Sequence, residues 1–207
     1  MYAKYIKRAF DLALSLVITI GTFPLWLAIT FMLRFFDNGP ILFTQMRTGK
    51  GGINFKMYKF RTMVQYNDAH DKNTANELTK IGKLVRAFSL DELPQILNVI
   101  KGQMSFIGPR PWMTDYYKHM NAMQRERVRV RPGITGLAQV MGRNSLTIYE
   151  KINYDLGYVN RIGLREDLKI IFLTIVTVFH RGSNEIEKHS IHQEIETLQQ
   201  QDRLMER

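Results

Sequence analysis

Seven residues, Ser89-Leu90-Asp91-Glu92-Leu93-Pro94-Gln95, set two adjacent carboxylates at the start of a helix-forming stretch. Two readings compete there. Ser89 with Glu92 three residues on has the capping-box spacing, in which both side chains only satisfy orphan backbone N–H groups. Pro94 argues for a later start, because proline favours the first helical position and lacks the N–H that an interior residue donates. A helix from Pro94 to Lys101, stopped by Gly102, leaves Asp91 and Glu92 beside its free N–H groups and positive dipole end. Carboxylates stay ionised there, and a phosphate can be held nearby. An ionised aspartate can attack phosphorus and form an acyl phosphate. Glu92 beside it can share a Mg2+ ion, which takes one or two carboxylates plus substrate phosphates.

The cations that such chemistry needs are present. Lys59 and Arg61 alternate with Tyr58 and Phe60 in an aromatic stretch, so a strand there would turn both to one face. Arg86 stands five residues before Asp91. Arg110 lies between Pro109 and Pro111, which restrict its backbone, and arginine suits bidentate phosphate recognition. Each alone reads as a solvated surface cation; around one acidic pair they suggest a diphosphate site. Gly49-Lys50-Gly51-Gly52 has neither the P-loop ending nor the dinucleotide-binding spacing and reads as a turn.

The positioning elements follow from pattern. Ile41–Arg47 and Ile53–Thr62 read as strands of a β-hairpin around the glycine-rich turn. The polar stretch Gln65–Thr79 reads as a loop. Trp112–Val130, Thr147–Asn160 and Asp167–Phe179 read as helices. Ile170–Phe179 is strongly apolar but too short to span a bilayer; it suits either an interfacial or a core helix. The tail, Asn184–Arg207, is polar with helical spacing of Ile186, Ile191, Ile195 and Leu198, fitting a solvated or a partner-binding helix.

Leu12 to Leu33 is uncharged and, as a straight helix, reaches ~33 Å, enough to cross a bilayer. Pro24 lies near its middle. Lys4, Lys7 and Arg8 precede the run, and Arg34, Arg47 and Lys50 follow it. Basic residues mark cytoplasmic flanks, so basic residues on both sides favour a helix-break-helix hairpin that dips in and returns. A proline-kinked single span is the competing reading. Ser15, Thr19 and Thr22 offer hydroxyls to backbone groups freed at a break.

The chain has 207 residues, a formal net charge of +10 and no cysteine, which excludes disulfide and thiol chemistry. The charge points to polyanionic company: anionic lipid, phosphorylated substrate or nucleic acid. No recognisable nucleic-acid module accompanies it.

Several segments together carry a family resemblance. They are Lys7-Arg8 ahead of the proline-containing run, Tyr58-Lys59-Phe60-Arg61-Thr62-Met63, Ser89 to Gln95, and Met104-Ser105-Phe106-Ile107-Gly108-Pro109-Arg110-Pro111. Arg131-Pro132-Gly133-Ile134-Thr135-Gly136-Leu137-Ala138-Gln139-Val140, Gly142-Arg143-Asn144 and Tyr154-Asp155 complete the set. In this order, over nearly all of residues 4–180, they resemble the bacterial sugar transferases, the monotopic phosphoglycosyl transferases. The resemblance implies an α+β, mostly helical fold: a re-entrant membrane anchor over 1–36, one catalytic domain with a small β-hairpin and interfacial helices over 37–182, and a polar tail over 183–207. The family often has a serine before the hairpin proline, where this chain has Phe23.

By the same resemblance, Asp91 attacks the sugar-proximal phosphate of a UDP-sugar, UMP leaves, and undecaprenyl phosphate takes the phosphosugar from Asp91. Mg2+ is the expected cofactor, at Asp91 and Glu92. Lys59, Arg86 and Arg110 align with the family's phosphate-site cations. Gln139 and Arg143, in the segment Gln139–Asn144, are expected to contribute to nucleotide or sugar recognition. The implied place is the cytoplasmic face of a bacterial cell membrane, in the first membrane step of polysaccharide synthesis, with a homodimer or an assembly-complex partner engaged through the tail. The alternative is a non-catalytic, membrane-tethered basic binding or docking protein, in which Asp91 and Glu92 only cap a helix.

Overall fold

The computed structural model of the chain describes residues 1–37, 39–64, 78–142, 145–179 and 194–198. Arg143, most of the polar loop after the hairpin and most of the tail lie outside them. The elements in order are α1 (Lys7–Phe36), β1 (Leu42–Thr48), β2 (Asn54–Phe60), α2 (Lys80–Ala87), α3 (Gln95–Ile100) and β3 (Ser105–Ile107). Then come α4 (Thr114–Lys118), α5 (Ala122–Arg125), β4 (Gly133–Thr135), α6 (Leu137–Met141), α7 (Ile148–Arg161), α8 (Leu164–Phe179) and one helical turn, α9 (194–198).

The fold is mostly helical with two small sheets. β1 and β2 form the expected antiparallel hairpin, Leu42 opposite Phe60 and Thr48 opposite Asn54. Its connection contains Gly51 and Gly52 at positive φ, the backbone that glycine adopts without steric cost. β3 and β4 are a parallel pair, Ser105 with Gly133 and Ile107 with Thr135. Neither was expected, since three residues are too few for a period-two pattern to show.

Local chemistry places several helices. Thr147 and Glu150 form a capping box that starts α7 where the sequence indicates. Thr79 caps α2 by accepting from Gly82 N–H. The helix expected over Trp112–Val130 is instead α4, α5 and a 3-10 turn over Glu126–Arg129. Asn121 and Gln124 form a capping box of their own, which restarts the helix rather than continuing it. α8 starts earlier than expected, at Leu164 rather than Asp167.

α1 runs from Lys7 to Phe36 with Pro24 inside it, and among the described residues its helix is the one long and apolar enough to cross a membrane. Both ends are fastened to the globular part. Near the start, Lys7 Nζ donates to Asp167 Oδ2 at 2.7 Å, and Arg8 donates to Val99 O at 2.6 Å and Ile100 O at 2.9 Å. The first charged pair thus serves as struts, and Arg8 caps the far end of α3. Asp11 Oδ1 accepts from Ser105 Oγ and Phe106 N–H. Toward the other end, Ile29 and Leu33 are buried with Phe60 and Val85, each worth about 1.5–3 kcal/mol relative to exposure. Trp26 meets Phe60 edge-on at 5.4 Å. Between the two fastenings Leu16, Val17, Ile20 and Phe23 are exposed. Ser15, Thr19 and Thr22 hydroxyls donate to the carbonyls of Asp11, Ser15 and Ile18, one turn back in their own helix. Pro24 has no N–H for the Ile20 carbonyl.

Candidate active site

Asp91 and Glu92 lie in a tight turn, Leu90–Glu92, closed by Leu93 N–H donating to Leu90 O. Ser89 before it is left-handed at φ 56°, a conformation sparse for residues other than glycine and found where surroundings impose it. Its side chain makes no capping hydrogen bond, so the capping box is not formed. Pro94 is the residue that leads into α3. The carboxylates are therefore not spent on the helix start.

The hairpin brings in the first cation. Lys59, near the end of β2, donates to Glu92 Oε1 at 2.7 Å and stands 3.9 Å from Asp91 Oδ2. The second distance exceeds hydrogen-bond length, so Asp91 feels the charge without being held by it. Arg110 Nη2 is 3.9 Å from Glu92 Oε1. Burial pushes the Asp91 carboxyl above its ordinary value; Lys59 opposes this, Glu92 adds to the rise, and Arg86 lowers it. Arg86 on α2 is exposed and acts on Asp91 through space. A cleft beside these residues is lined by Arg47, Met57, Lys59, Gln95, Arg110, Pro111 and Gly133.

Arg110 owes its place to two loops packed backbone against backbone. Gly108 N–H donates to Thr135 O and Gly133 N–H to Pro109 O, both at 2.9 Å. A side chain on Gly133 or Gly136 would collide with the Gly108 backbone. This is why both proline-glycine motifs are needed: only glycines let the loops approach so closely. Behind them Arg127 donates to Arg110 O at 2.9 Å, pairs with Asp155 Oδ2 through Nε and Nη2, and lies 3.8 Å over the Trp112 ring. Arg47 donates to Pro111 O from β1. Arg110's main chain is thus clamped while its side chain reaches the cleft.

The expected residues are not all gathered here. Arg61 is buried and donates to Asp37 O at 2.9 Å, just past the end of α1. β2 ends at Phe60, so the strand alternation that groups Arg61 with Lys59 does not extend to it. Gln139 on α6 donates to Ile134 O and keeps a buried Oε1 without a hydrogen-bond partner. Nothing in the geometry ties it to Asp91. Arg127, Asp155 and Trp112 were missed as positioning residues, because they meet only across long separations. Arg47 was legible: it shares a hairpin face with Lys59, two residues from Gln45 opposite Met57.

The metal question rests on the donor set. Asp91 and Glu92 converge on one cation, Lys59 Nζ. Among the described residues no cluster of three or more histidine, cysteine or acidic side chains exists. Two carboxylates that leave the other positions to phosphate oxygens and water suit Mg2+.

Comparison with known proteins gives the family of the chain. The chain is 41% identical over 172 residues to the uncharacterized sugar transferase EpsL of Bacillus subtilis, covering 82% of this chain and 85% of that one. It is 36% identical to the exopolysaccharide production protein ExoY of Sinorhizobium fredii, over 86% of this chain and 87% of the relative. A UDP-glucose:undecaprenyl-phosphate glucose-1-phosphate transferase of Klebsiella pneumoniae is 40% identical over 84% of this chain and 40% of its own length. The sequence model of the bacterial sugar transferases matches residues 2–181, from just before α1 to just past the end of α8, and the chain belongs to that family.

Proposed function

We propose that the protein transfers a sugar-1-phosphate from a UDP-sugar to undecaprenyl phosphate at a membrane face, with Asp91 as nucleophile. The observation that carries this reading is a buried aspartate in the field of Lys59 and Arg86 but hydrogen-bonded to neither, with Arg110 beside the adjoining Glu92, in a sugar-transferase chain. Asp91 attacks the sugar-proximal phosphorus. The bond from that phosphorus to the UMP oxygen breaks, and UMP leaves with the electron pair. An oxygen of undecaprenyl phosphate then attacks the phosphosugar, the Asp91–phosphorus bond breaks, and the carboxylate is regenerated. Lys59 keeps Glu92 in place, and Arg110 and Arg86 offset charge on the diphosphate. Asp91 and Glu92 would hold Mg2+, which neutralises phosphate charge when bound. Gln139, with an unspent acceptor, and Arg143 are assigned to donor recognition, whereas Arg61 serves the anchor junction.

The membrane part of the proposal is a re-entrant α1. Both of its ends pack on the same globular body, exposed apolar residues run along it from Phe10 to Phe36, and Pro24 falls near its middle. α8, tied to the start of α1 through Lys7 and Tyr2 on Asp167, exposes Leu164, Leu168, Phe172 and Ile175 along one side. Lipid covering that stripe puts the active site at the interface where a polyprenyl phosphate head group lies. Residues 1–36 then anchor the catalytic part, 37–182, on the cytoplasmic face.

The test is UMP release from a panel of UDP-sugars with Mg2+ and undecaprenyl phosphate in nanodiscs. Release by wild type and none by Asp91→Asn supports the reading. Release by both removes Asp91 as nucleophile, and release by neither removes the reaction.

A further inference from the structure

The family match ends at residue 181, yet the chain beyond it returns to the body. Leu198 is among the most completely buried side chains, in a cluster with Tyr116, Met120, Ile148 and Ile152. Glu194 accepts from Lys151 Nζ at 2.7 Å and from Tyr116 Oη at 2.8 Å. Tyr149 Oη donates to Thr197 O at 3.0 Å. A five-residue helix does not form alone in water, so packing and these bonds hold it.

The surface it covers is the back of the active site. Tyr116 touches Trp112 at 5.2 Å between ring centroids; Trp112 lies under the Arg127 guanidinium, and Arg127 donates to the Arg110 carbonyl. A second route runs through α7. Lys151 and Asp155 are four residues apart on one face, the first gripping Glu194 and the second gripping Arg127.

We propose that α9 is a latch: by completing the cluster beneath Trp112 and bonding α7, it holds the Arg127 platform that positions Arg110 for the donor diphosphate. α9 touches no reacting atom and acts through Arg127. The inference rests on the proposed donor site.

The test uses the full chain in nanodiscs carrying Trp26→Phe, so that Trp112 is the sole tryptophan. Leu198→Asp undocks α9 by placing a charge in the apolar cluster. Trp112 emission reads docking, and UDP affinity with Mg2+ reads Arg110 placement without requiring turnover. Expected are a red-shifted emission and UDP binding weakened about tenfold. Glu194→Gln, a milder change, should move both in the same direction by less. Unchanged emission overturns the docking. A shifted emission, or a lowered melting temperature, with unchanged UDP affinity overturns the latch and leaves α9 as packing alone. Absence of UMP release from wild type defeats the site's catalytic reading separately, while UDP affinity still decides the latch.

Discussion

Two cation–carboxylate groupings stand close together in this protein and differ in nearly every physical respect. Arg127 and Asp155 have side chains 2% exposed each, and two guanidinium nitrogens converge on one carboxylate oxygen. In the other grouping Lys59 is 20% exposed, Asp91 11%, Glu92 25% and Arg110 51%. One contact there is 2.7 Å and two are 3.9 Å. The first is dry and specific in geometry: both nitrogens take the same Asp155 oxygen, and the other, Oδ1, is buried without a hydrogen-bond partner and closed to a ligand from solvent. The second is wet, loosely paired and over-supplied with charge, so a phosphate can exchange with what is there. Charge pairing alone does not mark a reactive site; incomplete pairing beside a cleft does.

The largest effect that sharpens the contrast is at the nucleophile. Asp91→Asn should lower turnover by about 10⁴-fold or more with little change in melting temperature, measured by UMP release and thermal unfolding. An active Asp91→Asn would make the open grouping as structural as the buried one. Next, Asp155→Ala should cost about 3–5 kcal/mol in urea unfolding, because Arg127 is left charged and buried. Replacing both partners, Arg127→Met with Asp155→Leu, should recover much of that stability while still weakening UDP binding. A cheap Asp155→Ala would show that water reaches the pair.

Lys59→Met should lower kcat/KM by about 10²-fold and also move its pH dependence. The reactive form of Asp91 is ionised, and burial already raises its pKa, so activity is lost as pH falls through that raised value. Lys59 counteracts the rise. Without it the pKa climbs further, and the acid limb of kcat/KM moves to higher pH. A limb that stays in place would show that Lys59 acts on Glu92 alone. The smallest effect is at the exposed end: Arg110→Lys should raise KM for the UDP-sugar about tenfold, losing bidentate geometry but keeping charge, with unfolding unchanged.

Much of the architecture was readable from residue order, for reasons that are local. The hairpin showed in alternation and a glycine-rich turn; α7 showed in Thr147 and Glu150; the long apolar α1 showed in an uncharged run. Asp91, Glu92, Lys59 and Arg110 were legible because carboxylates before a proline and cations on a strand or between prolines are short-range patterns. The helix read through Trp112–Val130 failed where a second cap, at Asn121, competed with a continuous apolar spacing. Arg61 failed where a strand ended one residue before the pattern did.

The sequence by itself thus determined which chemistry is available: an acidic pair, several cations and a long apolar segment on one chain. Only the tertiary structure decided how these residues are held. Arg127 finds Asp155 twenty-eight residues away; Gly108 accepts Gly133 and Gly136 across a parallel strand pair; Arg8 caps a helix ninety-one residues on; and Leu198 returns to a cluster built from α4 and α7. Such contacts leave no periodicity, because their energies depend on which surfaces meet once the chain has closed long loops, and that geometry exists only in the folded molecule.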